Sequence, residues 1–188
     1  MKKILCFLVC MGILVSVSGC GENSTGNNTP NNADAEISVE DIIAGSMEMR
    51  ITDENTGYRV ENYGLVSLNK VAVTDKISGE DGEIYASPTE DKKFITFEFL
   101  FENSQDKAIN SDDLMDITIY FKDGEQYKNT KTLIAPSSRN PELLENVDIE
   151  KDKEVKVYCG VEVPKDYSGE GTAILDFGGK RYQVAVKS

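Results

Sequence analysis

From residue 64 onward, apolar and polar side chains alternate in short runs, which is the two-residue period of strands with one buried face. The cleanest run is Val155, Val157, Cys159, Val161 and Val163, ended by Pro164. Ile95, Phe97, Phe99 and Phe101 form a second, with Thr96, Glu98 and Glu102 on the other phase. Met115, Ile117, Ile119 and Phe121 form a third. Tyr182, Val184 and Val186 share a face in the last strand, after Thr172 to Phe177 and a Gly178-Gly179 turn. In Leu65 to Lys76 the inward phase slips from Val66 and Leu68 to Val71 and Val73, which predicts a bulge or a strand that changes sheets.

The turns agree with this reading. Lys122-Asp123-Gly124-Glu125 is a hairpin signature, because Asp-Gly tolerates the positive φ angles of a tight reversal, and Gln126 to Ile134 is the returning strand. Ala135 to Glu150 is irregular, with one helical turn predicted at Asn140 to Leu144, capped by Asn140 with Pro141 in the first position. Before residue 64 two readings stand. Ser38 and Asp41 pair as a helix start, with Val39, Ile42, Ile43 and Met47 on one face and Gly45 against it. Alternatively, Met47 to Thr52 and Tyr58 to Asn62 form a hairpin around Asp53 to Gly57. The pattern as a whole predicts an all-β fold, an antiparallel sandwich of about seven strands.

The first 36 residues have a different texture. Lys2 and Lys3 precede an apolar run from Ile4 to Val17, too short for the ~20 residues that cross a bilayer, and Val17-Ser18-Gly19-Cys20 closes it. This is the layout of a secretion signal. The tetrad resembles the lipobox of bacterial lipoproteins, which implies lipid attachment at Cys20, removal of residues 1–19 and placement on the extracytoplasmic face of the cell membrane. Two acyl chains hold a protein to a bilayer far better than one. Residues 21–36 contain no large apolar side chain and are rich in Asn, Gly, Thr and Ser, so residues 20–36 are expected to be a lipidated cysteine and a disordered tether. A 37–63 extension and a 64–188 sandwich complete the expected organisation.

Composition narrows the chemistry. The formal net charge is -13, and loss of Lys2 and Lys3 with the signal makes the remainder more acidic. Such a surface repels nucleic acid and anionic headgroups, so membrane contact falls to the lipid. Of the cysteines, Cys6 and Cys10 belong to the signal and Cys20 to the anchor. Cys159 therefore has no disulfide partner and is expected in the core, as a small hydrophobe. The absence of histidine removes Ser-His-Asp and Cys-His catalysis and His-containing zinc sites.

Three segments carry a family likeness. SPTEDKKFITFEFLFEN (Ser87 to Asn103), KDGEQY (Lys122 to Tyr127) and VYCGVEVPKDY (Val157 to Tyr167) resemble, in texture and order, small exported immunoglobulin-like, or telokin-like, domains of bacteria. The likeness spans Leu65 to Val186 and implies an immunoglobulin-like sandwich on an exported or lipid-anchored protein. It carries no catalytic signature and assigns no functional residue.

Candidate sites are few. Glu80 and Asp81, in an acidic loop from Ser78 to Glu83, and Asp112 and Asp113, beside Asn110 and Asp116, offer oxygens to a hard cation such as calcium, though without EF-hand spacing. They serve equally as solvated surface. Asp148, Glu150, Asp152 and Glu154 read as a charged strand edge protected against pairing. Tyr120 and Tyr158 fall on outward phases, where an aromatic meets a partner or a cross-strand neighbour. No cofactor is implied. The leading expectation is a non-catalytic domain binding a protein or an envelope polymer. The alternatives are a cell-envelope hydrolase using paired carboxylates such as Glu98 and Glu102, or an accessory subunit of a transporter or signalling complex.

Overall fold

The structure, a computed structural model, describes residues 37–52, 57–136 and 142–187. A short helix, α1 (Val39–Ala44), comes first. The strands follow as β1 (Met47–Glu48), β2 (Tyr58–Val60), β3 (Gly64–Thr74), β4 (Ile77–Ser78), β5 (Ile84–Ala86), β6 (Lys92–Asn103) and β7 (Ile109–Asn110). After a 3-10 turn at Ser111–Asp113 come β8 (Asp116–Phe121), β9 (Gln126–Ala135), β10 (Asp148–Ile149), β11 (Glu154–Pro164), β12 (Glu170–Phe177) and β13 (Lys180–Lys187).

Among the described residues, nine strands form one continuous sheet in the order β1-β13-β12-β8-β9-β11-β6-β3-β2, and β4–β5 and β7–β10 form two small pairs. Strand β9 makes the corner. Its first residues pair with β8, Tyr127 opposite Ile119, and its later ones with β11, Ile134 opposite Val157. A register shift between Gly160 and Val161 marks the change of partner, as a bulge does where a strand must bend. The sheet therefore curls until its halves face each other. Phe99 and Phe177 meet edge to face across the interior with ring centroids 6.1 Å apart, and Cys159 Sγ lies 3.9 Å from Met115 Sδ.

The interior is built from the inward phases of the alternating runs. Three of the four Phe residues of β6, at 97, 99 and 101, the inward Met115 to Phe121 set, and the inward residues from Val155 to Val163, Cys159 among them, are all buried. Burying one such side chain stabilises the fold by about 1.5–3 kcal/mol relative to exposure. The phase slip in β3 is a real irregularity, since pairing with β6 shifts between Leu68 and Lys70, but of the expected second inward pair only Val71 packs against the core, and Val73 is exposed.

Several expectations need correction. The main sheet has nine strands, because residues 37–63 are not outside it: β2 pairs with β3, and β1 pairs with β13 in parallel. The hairpin between Met47–Thr52 and Tyr58–Asn62 does not form. Instead Met49 N–H donates to the Gln183 carbonyl at 2.9 Å and Thr52 N–H to the Leu68 carbonyl at 2.8 Å, so this segment bridges the two halves. The helix exists, capped by Ser38, whose Oγ accepts from Asp41 N–H at 3.1 Å, but Met47 lies beyond it in β1. The acidic edge from Asp148 to Glu154 is broken by Asp152, whose φ of 57° places it in a turn. Asn140 and Pro141 lie outside the described residues, and Leu144 bridges to Ile134 as a β contact.

The outer face of the β11–β6 half is also not bare. Phe94, Leu133, Ala135 and Tyr158 form a second small core with Ile77 and Ala86 from the β4–β5 flap and with Leu143. Tyr158 is therefore on the outward phase yet buried. Alternation alone did not reveal the flap that covers it.

Candidate functional site: an acidic depression at one end of the sheet

The 3-10 turn begins at Asn110, whose Oδ1 accepts from Asp112 N–H at 3.0 Å and whose Nδ2 donates to Asn146 Oδ1 and Asp148 Oδ1 at 2.8 and 2.9 Å. This pins the turn to the β10 loop and leaves Asp112 and Asp113 exposed. Asp116 opens β8 directly opposite Asp176 of β12. Asp176 Oδ1 accepts from Gly179 N–H at 2.7 Å, and its Oδ2 accepts from Arg181 Nε at 3.1 Å. Gly178 and Gly179 have φ of 58° and 89°, the left-handed conformation that lets this tight turn fold over.

Asp112, Asp113, Asp116 and Asp176, with Met115 and the two glycines, surround a depression of ≈ 300 Å³. Behind it Tyr63 donates its hydroxyl to the Leu114 carbonyl. Burial pushes the Tyr63 phenol up to about 12, and the charges of Asp113, Asp176 and Asp116 push in the same direction. The depression therefore carries negative potential into the protein. Chemically, it offers several carboxylates to a cationic side chain or polymer, one of them already engaged by Arg181.

The other candidates are dispersed. Glu80 is paired with Lys156 at 2.6 Å. Asp81 accepts from the Glu83 N–H at 3.0 Å and from the Tyr85 hydroxyl, which closes the β4–β5 loop on itself. Among the described residues, no group of three or more Asp, Glu, Cys or His side chains is arranged to hold a metal ion. Glu98 pairs with Lys70 at 2.8 Å. Cys159 is fully buried, its thiol pushed up to about 12 by loss of solvent. Tyr120 is half-buried, on the face that α1 overlies. Cys20 and the segment before it lie outside the described residues, among which no helix is long and apolar enough to cross a membrane.

Sequence grouping found Asp112, Asp113 and Asp116 but missed Asp176 and the Gly178-Gly179 turn. Only the pairing of β8 with β12 brings residues sixty positions apart together. Asp176, separated by Phe177 alone from a double glycine, was the available signal.

No protein-family model and no curated protein matches the chain. The crystal structure of an uncharacterized β-sandwich protein from Clostridium difficile 630 is similar, with a TM-score of 0.62 and 16% sequence identity, over 76% of this chain and 95% of that one. The fold is a β-sandwich. At that identity the likeness concerns fold alone.

Proposed function

We propose that this chain is a lipid-anchored extracytoplasmic protein whose immunoglobulin-like sandwich binds, without catalysis, a basic protein or cationic envelope polymer through its acidic end. The observation that carries the binding reading is the convergence of Asp112, Asp113, Asp116 and Asp176 on one depression of ≈ 300 Å³. Carboxylates set around a shared concavity focus potential toward a cationic partner more than the same charges scattered over a surface. Glu98 and Glu102, the carboxylate pair a hydrolase would use, are four residues apart along one strand, roughly 13 Å between Cα positions. Glu98 is held in an ion pair by Lys70 at 2.8 Å. The address rests on Lys2, Lys3, the apolar run and Val17-Ser18-Gly19-Cys20. The immunoglobulin-like assignment rests on the resemblance of Leu65 to Val186 together with two layers joined by a strand that changes partners.

The test is crosslinking in intact cells of the wild type against Asp112→Lys/Asp113→Lys. The proposal expects a crosslinked partner whose yield falls with added salt and with the charge reversal. Turnover of an envelope glycan or peptide, lost on replacing one Asp or Glu, would promote the hydrolase reading instead.

A further inference from the structure

A second concavity, of ≈ 180 Å³, lies on the outer face of the β3–β6–β11 region, beside the β4–β5 flap. Two cross-strand rows make its floor. In one, Lys70, Glu98 and Tyr158 stand side by side. In the other, Ala72, Thr96 and Gly160 do. The second row is made of small side chains, so the sheet surface dips there. At Gly160 a Cβ would come within 2.9 Å of Ile77 Cδ1, which shows how closely the flap packs onto the dip. Lys76, Ile77 and Ser78 supply the wall.

The polar groups around this space are mostly donors. The Lys70 ammonium is paired with Glu98 at 2.8 Å, and the Thr96 hydroxyl donates to the Ala72 carbonyl at 3.1 Å. Among the described residues, the Lys76 ammonium and the Tyr158 hydroxyl have no side-chain or backbone partner, and Ser78 Oγ is buried with none. A buried hydroxyl without a partner costs about 1–3 kcal/mol, and such a group in a native structure calls for a ligand or water. Two ammonium groups and one carboxylate line the pocket, and Glu80, which also acts on Tyr158, is paired with Lys156 at 2.6 Å, so the pocket carries one net positive charge on a strongly acidic chain. A monoanion balances that charge, whereas a phosphate dianion would be left in excess beside Glu98. Ala72 and Ile77 give the remaining wall an apolar character suited to a carbon stem.

We infer that the pocket formed by Lys70, Lys76, Ser78 and Tyr158 is a carboxylate-binding site. It takes a single carboxylate on a small stem: one oxygen accepts from the Lys76 ammonium and the other from the Ser78 and Tyr158 hydroxyls. The same chemistry is presented by a sugar acid and by a peptide C-terminus. This site is separate from the acidic depression and does not depend on the function proposed for it.

The test is a titration of the ¹⁵N-labelled full chain, followed by amide chemical shifts, with sodium glucuronate, with alanyl-alanine, and with glucose and sodium chloride as neutral and ionic controls. Saturable shifts at Lys76, Ile77, Ser78 and Tyr158 are expected with one or both carboxylates and not with the controls. The tighter of glucuronate and alanyl-alanine identifies the source. Lys76→Gln and Ser78→Ala should each weaken binding by about tenfold, equivalent to about 1.4 kcal/mol, while Lys128→Gln, outside the pocket, leaves it unchanged. The amide spectrum itself reports whether each variant is folded. Shifts that are absent, that sodium chloride reproduces, or that persist undiminished in folded Lys76→Gln would overturn the assignment and leave Ser78 satisfied by water alone.

Discussion

The Asn103 carboxamide donates to the Ile149 carbonyl at 2.8 Å and to the Lys107 carbonyl at 2.9 Å, while its oxygen accepts from Gln105 N–H at 2.9 Å. Asn103 is fully buried at the end of β6, and its backbone also pairs with Lys153 and Asp152. One side chain thus ties the end of the longest strand to the loop that follows it and to β10. Asn103→Ala is expected to destabilise by about 2–4 kcal/mol, since it strands buried partners as well as losing its own bonds. Denaturant unfolding measures this. Asn103→Ala unfolding at the wild-type midpoint would show the network to be dispensable.

Cys159 sits among valines, with Thr132 Oγ1 at 3.9 Å. Cys159→Ser should cost about 1–3 kcal/mol, and Cys159→Val less than about 1.5 kcal/mol. The native thiol should resist maleimide until the domain unfolds. Rapid labelling under native conditions would contradict the burial.

Alkaline pH should unfold the protein through the same interior. Cys159 rises from 9.0 and Tyr63 from 10.0, both to about 12, so the folded state holds protons that the unfolded chain releases. Their contribution is complete below pH 9.0 and is lost as pH climbs toward about 12. Tyr63→Phe should lower Tm at neutral pH by removing the bond to the Leu114 carbonyl, yet flatten the alkaline decline. Thermal melts across this range decide the point, and an unchanged slope in Tyr63→Phe would rule out Tyr63 as a contributor.

Much of the sandwich was legible because alternation reports one buried face. Val155 to Val163 and Ile95 to Phe101 needed no other information, and the slip in β3 announced its own bulge. What alternation misses is anything covering the second face. Phe94 and Tyr158 break the pattern only once the β4–β5 flap is known to pack over them. The parallel pairing of β1 with β13 was equally hidden, because two-residue strands carry no period. Asp112, Asp113 and Asp116 were readable as a local cluster, whereas Asp176 joins them through strand pairing that no local window contains.

Gly160 tests that hidden layer. Gly160→Val would drive its side chain into Ile77 and Phe94, whose atoms stand 2.9–3.2 Å from the position of a Cβ, and should destabilise by about 1–3 kcal/mol. A neutral effect would mean that the flap lifts freely from the sheet.

The anchor is the part of the proposal on which the rest is placed, and metabolic labelling with radioactive palmitate tests it most directly. Wild type and Cys20→Ala are expressed in a bacterial host, fractionated and compared. Wild-type protein should carry label and sediment with membranes. Cys20→Ala should carry none, and should either be released or persist as uncleaved precursor. Equal labelling and equal membrane retention of the two proteins would contradict lipid anchoring at Cys20.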